Sequence, residues 1–233
     1  MVLYLGPGGT MNKPTLRFNL ADIEGIAQRY PVPVREDEQM ASRATILQRG
    51  WLTKSELQEI AHWKAPRSAA HAWKNSDDYV VEVARFAFAA ECERTRIEVL
   101  TLLDGVSWPT ASVVLHLFHR DPYPILDFRA LWSVSLGVPS SYTFDFWWPY
   151  VEFCRKTAEE AGVDMRTLDR ALWQYSKENQ RNGGQGDGYE GVGIDSHPVT
   201  RNANPPQSHG EPSSERNRTA GGMLRRGAAV RAR

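Results

Sequence analysis

The chain has 233 residues, and 28 Lys+Arg balance 28 Asp+Glu, so zero formal net charge excludes a globally basic polyanion binder and leaves only a local patch for any nucleic acid. Cys92 and Cys154 lie far apart without metal-ligand spacing, which argues against a disulfide scaffold or a four-cysteine iron–sulfur cluster and fits a reduced, cytoplasmic setting. No apolar run approaches the roughly 20 residues that span a bilayer, so no membrane association is expected.

Residues 1–14 read as a flexible N-terminus, too short and without the basic start of a signal peptide; with Met11 close by, translation starts at Met1 or Met11. Asn19 is placed to cap a short helix over 20–29, stopped by Pro31 and Pro33. A helix over 36–48 follows, with Met40, Ala44 and Leu47 on one face and Gly50 past its end. Thr53 and Glu56 form the T-x-x-E capping-box pattern, opening a helix to about Trp63 that Pro66 closes. A short Ala-rich turn of helix is expected over 68–73. Ser76 caps a helix over 77–90, acidic in its first turn as the macrodipole prefers, with Tyr79, Val80, Val83, Phe86 and Ala87 as its apolar face.

Residues 95–103 carry Ile97, Val99, Leu100, Leu102 and Leu103 in a mostly helical pattern that stops at Gly105. Pro109 suits the first turn of the next helix, where its missing N–H costs nothing. Val113, Val114, Leu117 and Phe118 continue a buried face. A short helix over 128–136 ends at Gly137 and Pro139. The helix over 144–161 starts with Phe146, Trp147, Trp148 and Tyr150 and reads as core, or as packing against a partner; Gly162 ends it. The last helix, 165–177, contributes Leu168, Leu172 and Trp173. No period-2 run survives beyond a few residues, so the class is all-α, one multi-helix domain over 15–177. Its roughly 160 residues suffice for one core. From 178 onward Gly, Ser, Asn, Pro and Arg dominate; 178–233 is expected to be a disordered polar tail with a basic end.

The centre of the chain is helix, Gly-containing turn, helix, then a Pro-marked loop delivering one carboxylate to another helix start. Unpartnered N–H groups at the second helix start make a natural anion site. Leu103-Asp104-Gly105-Val106-Ser107, Thr110-Ala111 and then Pro124-Ile125-Leu126-Asp127 resemble the helix-hairpin-helix plus Gly/Pro-Asp signature of the DNA base-excision glycosylase superfamily, over roughly residues 94–136. The resemblance implies double-stranded DNA gripped through the hairpin backbone at Gly105, Val106, Ser107 and Thr110. It also implies a damaged or mispaired base flipped out of the stack, with Asp127 as the catalytic carboxylate. A fixed carboxylate there stabilises the positive charge that builds on the sugar as the base leaves, and helps activate water. Bifunctional members place a Schiff-base lysine early in the second helix. The matching position is Pro109, so the implied activity is monofunctional hydrolysis. The third hairpin position, usually glycine, is Ser107.

Each of these residues has a plainer reading. Asp127 is suited simply to cap the helix that follows it. Arg129 would pair with Asp127 or phosphate, or lie on the surface. Trp108 and Tyr123 flank the expected pocket and would stack on a base, or fill the core. His62, Trp63, Lys64 and Arg67 cluster at a helix end, to bind phosphate or to complement the helix C-terminus. Lys64 is the alternative amine for the missing lysine, with nothing in the sequence to place it near Asp127. His116 and His119 share a helix face, but zinc takes three or four ligands, and neither metal nor cofactor is expected. His119 is expected at the exposed end. The competing functions are a non-catalytic DNA-binding module and a helical protein-interaction domain.

Overall fold

The computed structural model describes residues 13–32, 34–67 and 69–180. Residues 1–12 of the expected flexible start, and 181–233 of the expected tail, lie outside them. Among the described residues ten α-helices and one 3-10 turn make up the regular structure, and no strand occurs. The all-α class therefore holds. No helix among these residues is long and apolar enough to cross a membrane.

Local capping chemistry sets most helix starts. Glu56 N–H donates to Thr53 Oγ1 at 3.2 Å and the Glu56 carboxylate accepts the Thr53 N–H at 2.8 Å, the reciprocal box that opens α3 (Lys54–Lys64). Ser76 accepts from Tyr79 N–H and opens α5 (Asp77–Ala89), after a four-residue α4 (Ala69–Ala72). Asn19 departs from expectation. Its amide reaches the Asp22 carboxylate at 3.3 Å instead of a backbone N–H, and the segment forms a 3-10 turn (Leu20–Asp22) running into a short α1 (Ile23–Ala27).

Two buried faces also depart from expectation. Among the α2 (Val34–Arg49) side chains whose burial is described, Ile46 is fully buried, whereas Met40 and Ala44 are exposed and Leu47 is half-buried. In α5 the inward stripe is Val80, Val83, Ala84 and Ala87, which leaves Tyr79 and Phe86 outside. Helical periodicity defines a stripe, but the neighbouring helix selects which edge of it is covered. For α2 the neighbour is the C-terminal end of α7 (Trp108–Phe118), where the Arg43 guanidinium donates to the carbonyls of Leu117 and His119.

That helix is the centre of the molecule. All of α7 is buried except Trp108, Pro109 and His116, as an almost wholly apolar sequence demands. It packs against α2, α3 and α6 (Glu93–Leu100), and α6 also packs on α5. A second layer forms on α10 (Met165–Asn179), which contacts α1, α8 (Phe128–Ser133) and α9 (Phe144–Ala161). The aromatic run opening α9 belongs to the core: Trp147 is fully buried and stacks on Tyr123 with ring centroids 5.7 Å apart. One continuous cluster links these layers, each fully buried Leu, Ile or Val contributing about 1.5–3 kcal/mol. A small satellite of Ala61, Ala69 and Ala72 joins α3 to α4.

Two helix ends share one geometry with different residues. Gly162 (φ +69°) ends α9, with Val163 N–H donating to Ala158 O. Ser135 (φ +61°) ends α8, with Leu136 N–H donating to Leu131 O, so that the helix stops at Ser133, three residues before the expected end at 136.

Candidate active site

The loop that delivers Asp127 is fixed at successive atoms. Ser112 Oγ, in the second turn of α7, donates to Pro109 O at 2.7 Å and accepts the Leu126 N–H at 2.8 Å. Ile125 N–H donates to the buried Asp169 carboxylate of α10 at 3.2 Å, while Ile125 O accepts the Tyr150 hydroxyl of α9 at 3.1 Å. Asp169 is itself paired with Arg166 at 2.9 Å. Three helices thus hold the two residues before Asp127. Asp127 then caps α8, its Oδ1 accepting the Arg129 N–H at 2.9 Å.

The other carboxylate oxygen is engaged from a distant part of the chain. Lys64 Nζ, at the last residue of α3, lies 2.9 Å from Asp127 Oδ2, and the two side chains retain only 14% and 17% exposure. Burial alone would raise the carboxyl pKa. The Lys64 charge and hydrogen bond, the Arg129 N–H and the Arg129 guanidinium outweigh it, so Asp127 is held below its ordinary value of 3.8. The site is an ionised carboxylate beside an ammonium, both partly open to solvent. The expected cap is therefore present and is not the whole of the arrangement. Pro109 lies in the first turn of α7, one side chain (Ser112) away from the Leu126 backbone.

The hairpin turn is clamped by α4 and the residues after it. Gly105 has φ +80°, and a Cβ placed there would come within 2.7 Å of Ala72 N and 3.2 Å of His71 C. Asn75, buried, accepts the Asp104 N–H at 2.9 Å and donates to Asp104 O at 3.0 Å and Ala72 O at 3.1 Å. Backbone approach this close requires glycine for space as well as for φ. Gly105 is half-buried and Ser107 exposed, and the N–H groups of Gly105, Ser107 and Trp108 have no acceptor among the described residues.

Several expected contacts are placed elsewhere. Val106 donates its N–H to Leu103 O at 3.0 Å, and Thr110 is completely buried, so neither presents a backbone donor to an outside phosphate. Tyr123 is also fully buried. Its hydroxyl donates to Glu93 at 2.6 Å and accepts from Arg96, and burial followed by the Glu93 bond pushes its pKa up to about 12. It is a core residue and no stacking platform. Trp108 is half-buried, edge-on to Trp147 at 6.2 Å, with part of its ring still accessible. Arg129 is half-buried over the Phe128 and Trp173 rings, at 5.0 and 5.4 Å. His119 is 6% exposed rather than at an open end, accepting the Asp121 N–H at 3.0 Å, and His116 Nδ1 meets Tyr123 O at 2.6 Å. Among the described residues no three His, Cys, Asp or Glu side chains gather as a metal site.

The sequence reading did not single out Ser112, Tyr150 and Asp169 as supports of the loop, or Asn75 as the clamp on the turn. Each acts across a contact far along the chain and leaves no local pattern. Comparison with known proteins gives no match: no family model, no curated protein and no solved structure aligns with the chain.

Proposed function

We propose that the chain is a DNA base-excision glycosylase-like protein in which Asp127 is the catalytic carboxylate for hydrolysis of an N-glycosidic bond. The observation that carries the reading is the state of that side chain. It is ionised, partly open, and fixed through Leu126 and Ser112 to the first turn of α7, the second helix of the hairpin. A negative charge held in place is what a developing oxocarbenium ion needs, and a rigid mounting means little reorganisation during reaction. The hairpin's part is narrower than the sequence implied: Gly105, Ser107 and Trp108 are the backbone donors left to meet a phosphate.

One observation favours a second reading of the chemistry. Lys64 brings an amine to 2.9 Å from Asp127, where the motif itself offers proline. With its proton lost to solvent, that amine would attack C1′ as the base departs with the bond pair and takes up a proton; opening of the C1′–O4′ bond then gives an imine, and loss of a C2′ proton expels the 3′-phosphate by β-elimination. A panel of lesion-containing duplexes tests both. Asp127→Asn should abolish base release with DNA affinity largely intact, and unchanged release would exclude the mechanism. Borohydride trapping of a covalent complex in the parent, lost in Lys64→Gln, would select the lyase route; release without trapping selects hydrolysis. Salt-sensitive duplex binding with no activity on any lesion would leave a non-catalytic DNA-binding module.

A further inference from the structure

The segment 64–75 joins the two parts of the candidate site. Its first residue is the ion-pair partner of Asp127, and its last clamps the backbone of Asp104 in the hairpin. Between them the chain carries Lys64, Arg67, His71 and Lys74 and no carboxylate. Arg67, His71 and Lys74 are exposed. Trp73 is 65% exposed, the largest value for any large hydrophobic side chain among the described residues. It directly follows Ala72, whose backbone packs against Gly105.

An indole left in water forfeits about 2–3 kcal/mol that burial would return, and its place in a run of exposed basic residues suits an occupant with both a flat apolar face and negative charge. An unstacked nucleotide has both. Carboxylates bound this strip: Asp77 and Asp78 begin the next helix, and Asp104 is exposed at the turn. The favourable ground for a polyanion therefore runs along 64–74. Trp73 is also the exposed aromatic ring nearest in sequence to the hairpin clamp at Asn75, whereas of the two rings expected to stack Tyr123 is sealed in the core and Trp108 is half-buried.

We propose that 64–75 is a track for a DNA strand, with Trp73 stacking on an unpaired base beside the hairpin and Lys74 contacting its phosphates. The inference rests on the reading of the chain as a DNA-binding protein and adds a preferred form, a single strand or a duplex with one extrahelical nucleotide over intact duplex.

The test is fluorescence anisotropy of the full chain against a labelled single strand, the same strand in a perfect duplex, and that duplex with a one-nucleotide bulge. The parent should prefer the single strand and the bulge. Trp73→Ala should weaken both roughly tenfold or more, Trp73→Phe should recover most of the loss, and intact-duplex affinity should change little. Because the ring is largely in solvent, its removal does not threaten the fold. A Trp73→Ala chain that binds all three DNAs as the parent does overturns the track and leaves the glycosylase reading standing. A parent that binds none of them at low salt overturns both. If Trp73→Ala instead converts a dimer to a monomer in sedimentation with DNA affinity unchanged, the ring belongs to an interface between copies and the track is rejected.

Discussion

Lys64 and Asp127 have each given up most of their hydration to sit against one another, so neither tolerates loss of the other. Removing the cation in Lys64→Met leaves a nearly buried carboxylate with only the Arg129 contacts, and should cost about 3 kcal/mol in urea unfolding. The pH dependence has a definite sign. The folded-state pKa of Asp127 lies below its ordinary 3.8, so its contribution is complete above that value and disappears as pH falls through the depressed one. Glu178, held by Arg29 and Gln174 at a pKa of about 2, behaves alike below its ordinary 4.5. The stability of the parent should therefore fall with pH below about 4, and in Lys64→Met that fall should be smaller, the two stabilities converging in acid. A stability difference that stays constant down to about pH 2 would mean that the ion pair is not its source. Asp127 itself was legible as a candidate because a Pro-marked loop before a helix is a local pattern. Its partner was not, since 63 residues separate the two and only the packing of α3 against α7 brings them together.

Helix starts and stops governed by neighbours in sequence were readable: the Thr53–Glu56 box, the Ser76 cap and the Gly162 stop all stand where local chemistry puts them. The faces of α2 and α5 were not, because a periodic stripe does not reveal which edge its neighbour covers. Nor was the end of α8. Ser135 takes a left-handed conformation usually given to glycine, and only the Leu136–Leu131 hydrogen bond and surrounding packing identify it. The hairpin turn lies between these cases. Its glycine was expected on conformational grounds, yet the contact that forbids a side chain comes from α4. Gly105→Ala should thus fail twice, through φ +80° and through a Cβ 2.7 Å from Ala72 N, with a loss of about 2 kcal/mol or more in stability. A loss below 0.5 kcal/mol in denaturant titration would show that α4 yields freely and that the clamp is weak.

At the scale of the molecule, balanced charge and a central apolar helix define what binding is possible. Zero formal net charge means that long-range attraction for DNA is small. If the strip of Arg67, His71 and Lys74 carries binding, two or three phosphates are neutralised, and log K against log salt should fall with a slope of about −2 for a single strand. A slope several times steeper would assign most of the binding to basic residues elsewhere in the chain. The all-α class was legible from the absence of alternation. One buried face of α7 was legible from Val113, Val114, Leu117 and Phe118; its burial on nearly every side was not. The layering around α10 depended on which helices meet, which composition and period leave open.

The anchoring of Ile125 and Leu126 on three separate helices has one more outcome. An acid mounted so firmly is unable to swing toward a target. If it acts on DNA as proposed, the target must travel the whole distance, discrimination would reside in how readily a nucleotide abandons its neighbours, and the protein would act as a stationary anvil.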